Sequence, residues 1–229
     1  AGIGAALYVN HCILDQPRTI GYQSSSIGPQ FTRAQIVEAL NRRKVKFEIV
    51  ANAPQKVAQL LSDGHVVGLF QGRMEFGDRA LGNRSILGDP RDASMKDKIN
   101  AMIKYREGYR PFAPATLSEK AHEIFEVDAG YECNYMEKVV QVREGYRKKI
   151  PAVTHFDGSG RLQTVQRGHN PYFYGVIQEF EKITGIPVVL NTSFNINAEP
   201  IVLSPDDAIS TFFNSGLDYL MMEDVLLTK

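Results

Sequence analysis

The sequence predicts a mixed α/β fold in which helices flank a sheet with both parallel and antiparallel strands. Short apolar runs typical of buried strands alternate with amphipathic stretches that have helical spacing. This alternation keeps no strict strand–helix–strand period, and several strand-like runs follow one another with no helix between them. Such a pattern favours a mixed sheet over a purely parallel, doubly wound one.

The predicted helices are marked by capping residues. Thr32, Ser118, Asn170 and Ser204 can each accept a hydrogen bond at a helix start, and Pro54 is favoured in a first turn. Glycine residues follow several of these segments, as is typical of helix ends. The predicted helices cover residues 1–14, 33–44, 54–64, 93–105, 118–125, 170–185 and 204–216.

The predicted strands are apolar or alternating runs bounded by Gly, Pro, Asn or Asp. They cover residues 47–50, 65–71, 135–142, 151–156, 161–167, 186–190, 217–222 and 225–228. Residues 15–31 are rich in Pro, Ser, Gln and Gly, which predicts a linker or surface loop. Residues 106–114 contain two prolines, which predict an extended, stiff segment.

Composition excludes several classes of protein. Of the 229 residues 43% are apolar, enough for a buried core. Lys plus Arg and Asp plus Glu both number 26, and this zero formal charge argues against a dedicated nucleic-acid binder, although a small basic pocket needs no net charge. The two cysteines, Cys12 and Cys133, form no metal or disulfide pattern. No run of 18 apolar residues occurs, so we expect no membrane span and a cytoplasmic protein.

The segment from Gly72 to Arg91 is the most distinctive part of the chain. It follows the apolar run 66–70, reads GRMEFGDRALGNRSILGDPR, and contains four arginines and four glycines. Arginine keeps its charge at any working pH and grips phosphate or carboxylate with paired hydrogen bonds. Glycine lets the backbone approach a ligand closely. A strand that opens into such a loop predicts an anion site, with a solvated surface loop as the alternative.

Four basic residues are candidates for that site: Arg79, Lys104, Arg110 and Arg161. Each one alone fits a solvated surface charge better than a binding residue. Together they fit an anion pocket, because a nucleotide triphosphate with a second anionic substrate needs several cations, and preorganised positive groups stabilise charge in a phosphoryl transition state.

Two polar segments follow strand-like runs. Residues 191–195, NTSFN, place small hydroxyl and amide side chains after an apolar strand, which indicates either a ligand contact or a polar turn. Residues 155–161 read as a turn around Asp157 and Gly158, with His155 as a packed histidine rather than a base. Known nucleophile, P-loop and zinc-protease motifs are absent, so a nucleotide-using enzyme of this sequence works by positioning and charge.

These segments, in this order, resemble the C-terminal domain of the NodU/CmcH/TobZ-type O-carbamoyltransferases. The likeness covers nearly the whole chain. It rests on GRMEFGDRALGNRSILGDPR at 72–91, KYREGYRPFAP at 104–114, DGSGRLQTV at 157–165 and NTSFN at 191–195.

The resemblance implies a YrdC-like fold, a twisted mixed sheet with helices around a basic cavity. It implies that the domain makes carbamoyl adenylate from carbamoyl phosphate and ATP with Mg²⁺, releasing pyrophosphate. An N-terminal actin-like domain of the same polypeptide then transfers the carbamoyl group to an acceptor hydroxyl. The partners implied are therefore carbamoyl phosphate, ATP and that actin-like domain.

The resemblance also assigns site residues. It implies catalytic roles for Lys104, Arg110 and Arg79 and no metal ligands in the protein. The implied cofactor-binding residues are Arg161, Asn191, Ser193, Arg73, Glu75, Arg84 and Asn195. Asp78 adds an anion beside Arg79 that competes for its guanidinium.

Domain organisation follows from the same resemblance. Residues 1–22 are expected to be the tail of a preceding actin-like domain and a linker, and residues 23–229 the YrdC-like carbamoyltransferase domain. Two alternatives stay open. One is a YrdC-like RNA-binding module, since a cationic concavity suits backbone phosphates. The other is a threonylcarbamoyl-adenylate-type enzyme that uses bicarbonate and an amino acid.

Overall fold

The computed structural model describes residues 2–18 and 24–229, so the predicted domain boundary between residues 22 and 23 lies outside the described residues. Three predicted caps are present: Thr32 forms a capping box with Gln35, Ser204 one with Asp207, and Asn170 accepts from the Phe173 backbone. The predicted cap at Ser118 is wrong, because Ser118 lies within a 3₁₀ turn that has no side-chain cap. The helices are α1 Gly2–Tyr8, α2 Arg33–Arg42, α3 Ala53–Ser62, α4 Met95–Ile99, α5 Ala121–Ile124, α6 Glu144–Arg147, α7 Pro171–Thr184 and α8 Pro205–Phe213.

Two of these helices continue in a different helical form. A π-helical turn, Val9–Ile13, extends α1, and another, Asn100–Lys104, extends α4. Short 3₁₀ turns occur at Ser118–Lys120 and Pro151–Val153. The π-helical turn after α4 ends at Tyr105, whose φ of 46° lies in the left-handed region and turns the chain sharply.

The strands form one mixed sheet, which confirms the predicted fold class. They are β1 Glu48–Ile49, β2 Val67–Phe70, β3 Arg84–Gly88, β4 Ala113–Leu117, β5 Lys138–Gln141, β6 Ser159–Val165, β7 Val188–Ser193, β8 Tyr219–Met222 and β9 Val225–Thr228. Their order across the sheet is β1-β9-β8-β2-β3-β7-β4-β6-β5. The pairs β2–β8 and β4–β6 are parallel, and the other pairs are antiparallel.

Each face of the sheet carries its own hydrophobic core. Helices α3 and α7 pack together on one face, where Val57 and Phe173 meet strand residues such as Val189. Helices α2, α4 and α8 cover the other face, with Ile99 and Phe212 among the buried side chains. Burying apolar surface on both sides holds the central strands rigidly, so the polar residues at their ends have fixed positions.

The structure corrects three sequence-based predictions. One predicted strand is absent, and two segments predicted as non-strand contribute strands. Residues 151–156 are not a strand, because Pro151 starts a 3₁₀ turn instead. The segment predicted as an Arg/Gly loop contains the central strand Arg84–Gly88. The last two residues of the stiff segment, Ala113 and Pro114, begin the central strand Ala113–Leu117, although Pro114 cannot donate to the ladder.

Candidate active site

A cavity of ≈ 410 Å³ lies where β6 begins, β7 ends and the chain enters β4. Its size falls in the usual range for small-molecule sites, roughly 300–1,000 Å³. Three separate parts of the chain supply its cationic lining, which consists of Arg79, Arg106, Arg110 and Arg161. Polar residues at the end of β7, Asn191 to Ser193, complete one wall.

The arginines of this cavity repel one another. Burial lowers the pKa of Arg161, and the positive charge of Arg79 lowers that pKa further. Burial likewise lowers the pKa of Arg106, as do the charges of Arg110 and Arg161. Like charges held this close disfavour each other's charged form, so a multiply charged anion in the cavity would relieve the repulsion.

Two of the arginines have exposed ion-pair partners. Arg79 Nη1 lies 2.8 Å from Asp78 Oδ2, and Arg110 Nε lies 3.0 Å from Glu107 Oε2. The side chains of Arg79 and Arg110 are 44% and 53% exposed. Exposed pairs of this kind contribute little, roughly 0–1 kcal/mol, so an incoming phosphate can displace them readily.

The other two arginines are more buried and less neutralised. Arg106 Nε donates to Asn100 Oδ1 over 2.7 Å, and its guanidinium stacks 4.9 Å from the centre of the Phe112 ring. Arg161 Nε is buried and has no hydrogen-bond partner within the part of the chain that the structure describes. The contacts of Arg106 hold its guanidinium in place and leave most of its donors free.

Lys104 lies behind this wall of the cavity. Its side chain is 5% exposed, and its Nζ donates to Ser193 O at 2.5 Å, Asn195 Oδ1 at 2.7 Å and Asn195 O at 3.0 Å. Burial, together with the positive charge of Arg106, lowers the pKa of Lys104 to about 7. The ammonium therefore holds the end of β7 in place from beneath.

Ser193 connects this cluster to the cavity. Its Oγ donates to Asn195 Oδ1 over 2.8 Å and lies 3.2 Å from Lys104 Nζ. Ser193 itself is among the lining residues, whereas Lys104 and Asn195 are not. The order from the cavity inward is thus a hydroxyl first, then an ammonium and an amide that orient it.

A family model described as "Carbamoyltransferase C-terminus" matches residues 58–229, three quarters of the chain. The chain belongs to this family. The matched region contains every arginine of the cavity, together with Lys104 and the end of β7.

Curated relatives of this carbamoyltransferase domain include nodulation proteins. NolNO of Sinorhizobium fredii (strain NGR234) is 52% identical over 186 residues, which is 81% of this chain and 27% of the relative. NolO of Bradyrhizobium diazoefficiens is 53% identical over 75% of this chain and 32% of its own length. An uncharacterised protein of Synechocystis sp. is 41% identical over 99% of this chain and 41% of its length. The chain thus spans well under half the length of these relatives.

One solved structure with a related shape is full-length HypF in its phosphate- and nucleotide-bound form. The match covers 80% of this chain and 22% of HypF, with 15% sequence identity and a TM-score of 0.48.

The structure brings most of the predicted site residues of the carbamoyltransferase domain together. The cavity is lined by Arg79, Arg110, Arg161, Asn191 and Ser193. Lys104 and Asn195 lie directly behind Ser193 through the hydrogen bonds described above. The remaining predicted residues, Arg73, Glu75 and Arg84, do not line this cavity.

Glu75 stabilises the loop that carries Arg79. It is buried, and its Oε1 accepts hydrogen bonds from the backbone N–H groups of Leu81 at 2.7 Å and Asn83 at 2.8 Å. Burial raises the pKa of Glu75. This carboxylate is turned inward to the loop, so the contacts observed for it are structural, and its predicted contact with nucleotide stays a prediction.

Arg84 is also held by the protein itself. Its side chain is 0% exposed, its guanidinium lies 3.6 Å from the centre of the Phe70 ring, and Nη1 donates to Gln71 O at 2.8 Å and Asn83 O at 3.0 Å. Burial lowers the pKa of Arg84 to about 10. Arg73 is exposed and donates to Ile27 O over 3.0 Å. Ligand contacts by Arg73 and Arg84 likewise stay predictions.

Several lining residues were not among the predicted site residues. Arg106, Asp78, Thr192 and His155 all line the cavity. Arg106 lies four residues before Arg110 in the same stiff segment, a spacing that could have indicated it. The predicted turn after His155 is present, since Gly158 N donates to His155 O over 2.9 Å.

Residues 2–18 and 24–229 contain neither a candidate metal cluster nor a candidate membrane span. No group of three or more His, Cys, Asp or Glu side chains is placed to hold a metal ion. No helix in this part of the chain is both long and apolar enough to cross a bilayer.

Proposed function

We propose that this carbamoyltransferase domain forms carbamoyl adenylate from carbamoyl phosphate and ATP, with ATP bound as its Mg²⁺ complex. One observation carries the proposal: four guanidiniums from three chain segments converge on a single cavity beside the amide and hydroxyl groups that end β7. Both substrates are polyanions, and their combined charge matches such a cluster.

The balanced reaction consumes one water. Water breaks the bond between the carbamoyl carbon and its phosphate, giving carbamate and inorganic phosphate. A carbamate oxygen then attacks the α-phosphorus of ATP, and pyrophosphate leaves with the electron pair of the broken P–O bond. Negative charge builds on phosphoryl oxygens in both steps, and fixed guanidiniums stabilise that charge most effectively in a site shielded from water.

The contacts suggest a role for each predicted residue that lines the cavity or lies directly behind its wall. Arg79, Arg110 and Arg161 would bind the phosphates, with Arg106 as a further cation. Asn191 and Ser193 would hold the adenylate at the end of β7. Lys104 and Asn195 would position Ser193, since their hydrogen bonds reach it from behind the cavity wall. Arg79 and Arg110, being exposed, can turn toward the ligand as it enters.

Transfer to the acceptor is proposed to occur elsewhere in the polypeptide. The matched relatives extend far beyond the region they share with this chain. An N-terminal actin-like domain would receive the adenylate and move its carbamoyl group to a hydroxyl.

The test is release of pyrophosphate when the protein is incubated with ATP, carbamoyl phosphate and Mg²⁺. Arg110→Ala should lower kcat/KM by about a hundredfold, roughly 3 kcal/mol, because it removes a preorganised charge. Arg42→Ala is a matched control, since Arg42 is an exposed arginine that pairs with Asp206 outside the cavity. Loss of pyrophosphate release in both variants, or release without carbamoyl phosphate, would contradict the proposal.

The alternatives give different results in the same experiment. An enzyme of the threonylcarbamoyl-adenylate type would release pyrophosphate with bicarbonate and an amino acid in place of carbamoyl phosphate. An RNA-binding module would release none and would instead retain double-stranded RNA with an affinity that falls steeply as salt rises.

A further inference from the structure

Two side-chain amides lie next to the cavity wall in a fixed orientation. Asn191 Nδ2 donates to Ala80 O over 3.1 Å and to Gln163 Oε1 over 2.8 Å. Gln163 Nε2 in turn donates to Leu81 O over 2.9 Å. Main-chain carbonyls only accept hydrogen bonds. The nitrogen of Gln163 must therefore face Leu81, which leaves its oxygen toward Asn191 and fixes the nitrogen of Asn191 toward both of its acceptors.

This network leaves one oxygen unused. Asn191 is 1% exposed, and its Oδ1 has no hydrogen-bond partner among the described residues. A buried acceptor without a donor is costly and is rare in native proteins. Since the nitrogen side of this amide is occupied by Ala80 and Gln163, the donor that Oδ1 lacks can come from the cavity that Asn191 lines.

The rest of the cavity offers mainly donors, although the carboxylate of Asp78, which pairs with Arg79, and the hydroxyls of Thr192 and Ser193 can accept. Arg79, Arg106, Arg110 and Arg161 present guanidinium N–H groups, which cannot accept. They suit the phosphate and carbonyl oxygens of a ligand but give no partner to a ligand N–H. Asn191 Oδ1 is a neutral acceptor held rigidly among these cations.

We propose that Asn191 Oδ1 accepts a hydrogen bond from the amide nitrogen of the carbamoyl group. Asn191 thereby selects carbamoyl phosphate over acyl phosphates of the same shape that lack this N–H, such as acetyl phosphate. The inference rests on the proposed function. Because Oδ1 is shielded from water, the ligand reaches it together with a small shift of the lining side chains, and the bond then forms in a dry site where it discriminates strongly.

Binding of carbamoyl phosphate and acetyl phosphate, measured by calorimetry on the same protein, tests the inference. The wild-type protein should prefer carbamoyl phosphate by roughly tenfold to a hundredfold. Asn191→Leu removes the acceptor and should reduce the preference to within about threefold, mainly by weakening carbamoyl phosphate. Should this variant not fold, Asn191→Ser shortens the side chain and serves the same test.

Two further variants separate recognition from stability. Asn191→Asp keeps an acceptor oxygen, so both affinities should fall through charge repulsion while the preference for carbamoyl phosphate persists. Thr116→Val removes a buried hydroxyl that donates, outside the cavity, to Pro187 O just before the neighbouring strand β7, and it should leave the preference unchanged.

These measurements distinguish failure of the role inferred for Asn191 from failure of the proposed function. A wild-type preference below threefold, or one that survives Asn191→Leu, overturns the role of Asn191 even if pyrophosphate is released with carbamoyl phosphate. If neither acyl phosphate binds more tightly than inorganic phosphate and no pyrophosphate is released, the proposed function itself fails.

Discussion

Arg84 and Arg161 lie on strands of the same sheet, yet the acceptors around their guanidiniums differ. Arg84, on β3, is fully buried, stacks on Phe70 and donates through Nη1 to several backbone carbonyls. Arg161, on β6, lines the cavity and experiences the charge of Arg79, whereas the Nε atoms of both arginines are buried without a partner among the described residues. The difference teaches that nearby acceptors, rather than the residue type or its strand position, decide whether the donors of an arginine are used by the fold or stay free.

The strongest test of this contrast is Arg84→Ala. The change leaves a cavity in the core beside Phe70 and removes the donor from the carbonyls of Gln71 and Asn83. We expect the free energy of unfolding to fall by about 3–5 kcal/mol, the usual range when a large buried side chain is truncated. Denaturant unfolding followed by circular dichroism measures it. A loss below about 1 kcal/mol would mean that Arg84 is no structural residue.

Arg161→Ala should have the opposite profile. We expect kcat/KM for pyrophosphate release to fall about a hundredfold, because one preorganised charge is lost. The free energy of unfolding should stay within about 0.5 kcal/mol, since relief of repulsion offsets lost packing. Steady-state kinetics and denaturant unfolding on the same preparation report both quantities. If Arg161→Ala lowered the free energy of unfolding as much as it raised the activation free energy, the proposed distinction between Arg84 and Arg161 would be wrong.

The pH dependence of activity tests the link between Lys104 and the cavity. The pKa of Lys104 is lowered to about 7, so the ammonium persists below that pH and is lost as pH rises through it. Because the ammonium holds Ser193 and Asn195, kcat/KM should fall about tenfold per pH unit above that point.

The pH at which kcat/KM begins to fall, the basic limb of the pH profile, should depend on Arg106, because its charge helps to lower the pKa of Lys104. Arg106→Ala should therefore move the limb to higher pH, while Arg42→Ala, far from the site, should not. A profile that stays flat to pH 9 in the wild-type protein would show that Lys104 does not titrate in this range or does not matter to catalysis.

The smallest expected effect concerns Asp78. This carboxylate is 84% exposed and pairs with Arg79, so it competes with an entering phosphate. Asp78→Asn should tighten phosphate binding by about two- to fivefold at low ionic strength, the size expected for an exposed ion pair. The gain should vanish in high salt, which screens exposed charges. Weaker binding in Asp78→Asn would instead give the carboxylate a direct role with the ligand.

Much of this architecture was accessible from the sequence. Helix starts at Thr32, Asn170 and Ser204 rest on local capping chemistry, and the structure shows those caps. The mixed sheet was predicted from strand-like runs that lack intervening helices. The grouping of Arg79, Arg110 and Arg161 at one cavity was predicted from their charge, and the family resemblance assigned the same residues to the site.

The parts that sequence reasoning missed depend on tertiary contacts. The charge of Arg84 led to the prediction of a loop for its segment. A charged residue rarely occupies a central strand unless its side chain stacks on an aromatic ring and donates to carbonyls, as that of Arg84 does. Pro114 argued against a central strand at β4, because proline within a sheet is typical of edge strands. The fixed amide pair of Asn191 and Gln163 joins residues 28 positions apart, a relation that local patterns do not contain.

The strand order also has a consequence for how the chain folds while it is being synthesised. β8 and β9 lie between β1 and β2, so the strands made last occupy the interior of the sheet. Until β8 and β9 have been synthesised, β1 has no neighbouring strand. One edge of β2 then exposes unpaired backbone N–H and C=O groups, which can pair with another nascent chain. Translation that stops before Tyr219 should therefore leave an aggregation-prone product, even though every arginine of the cavity has already been synthesised.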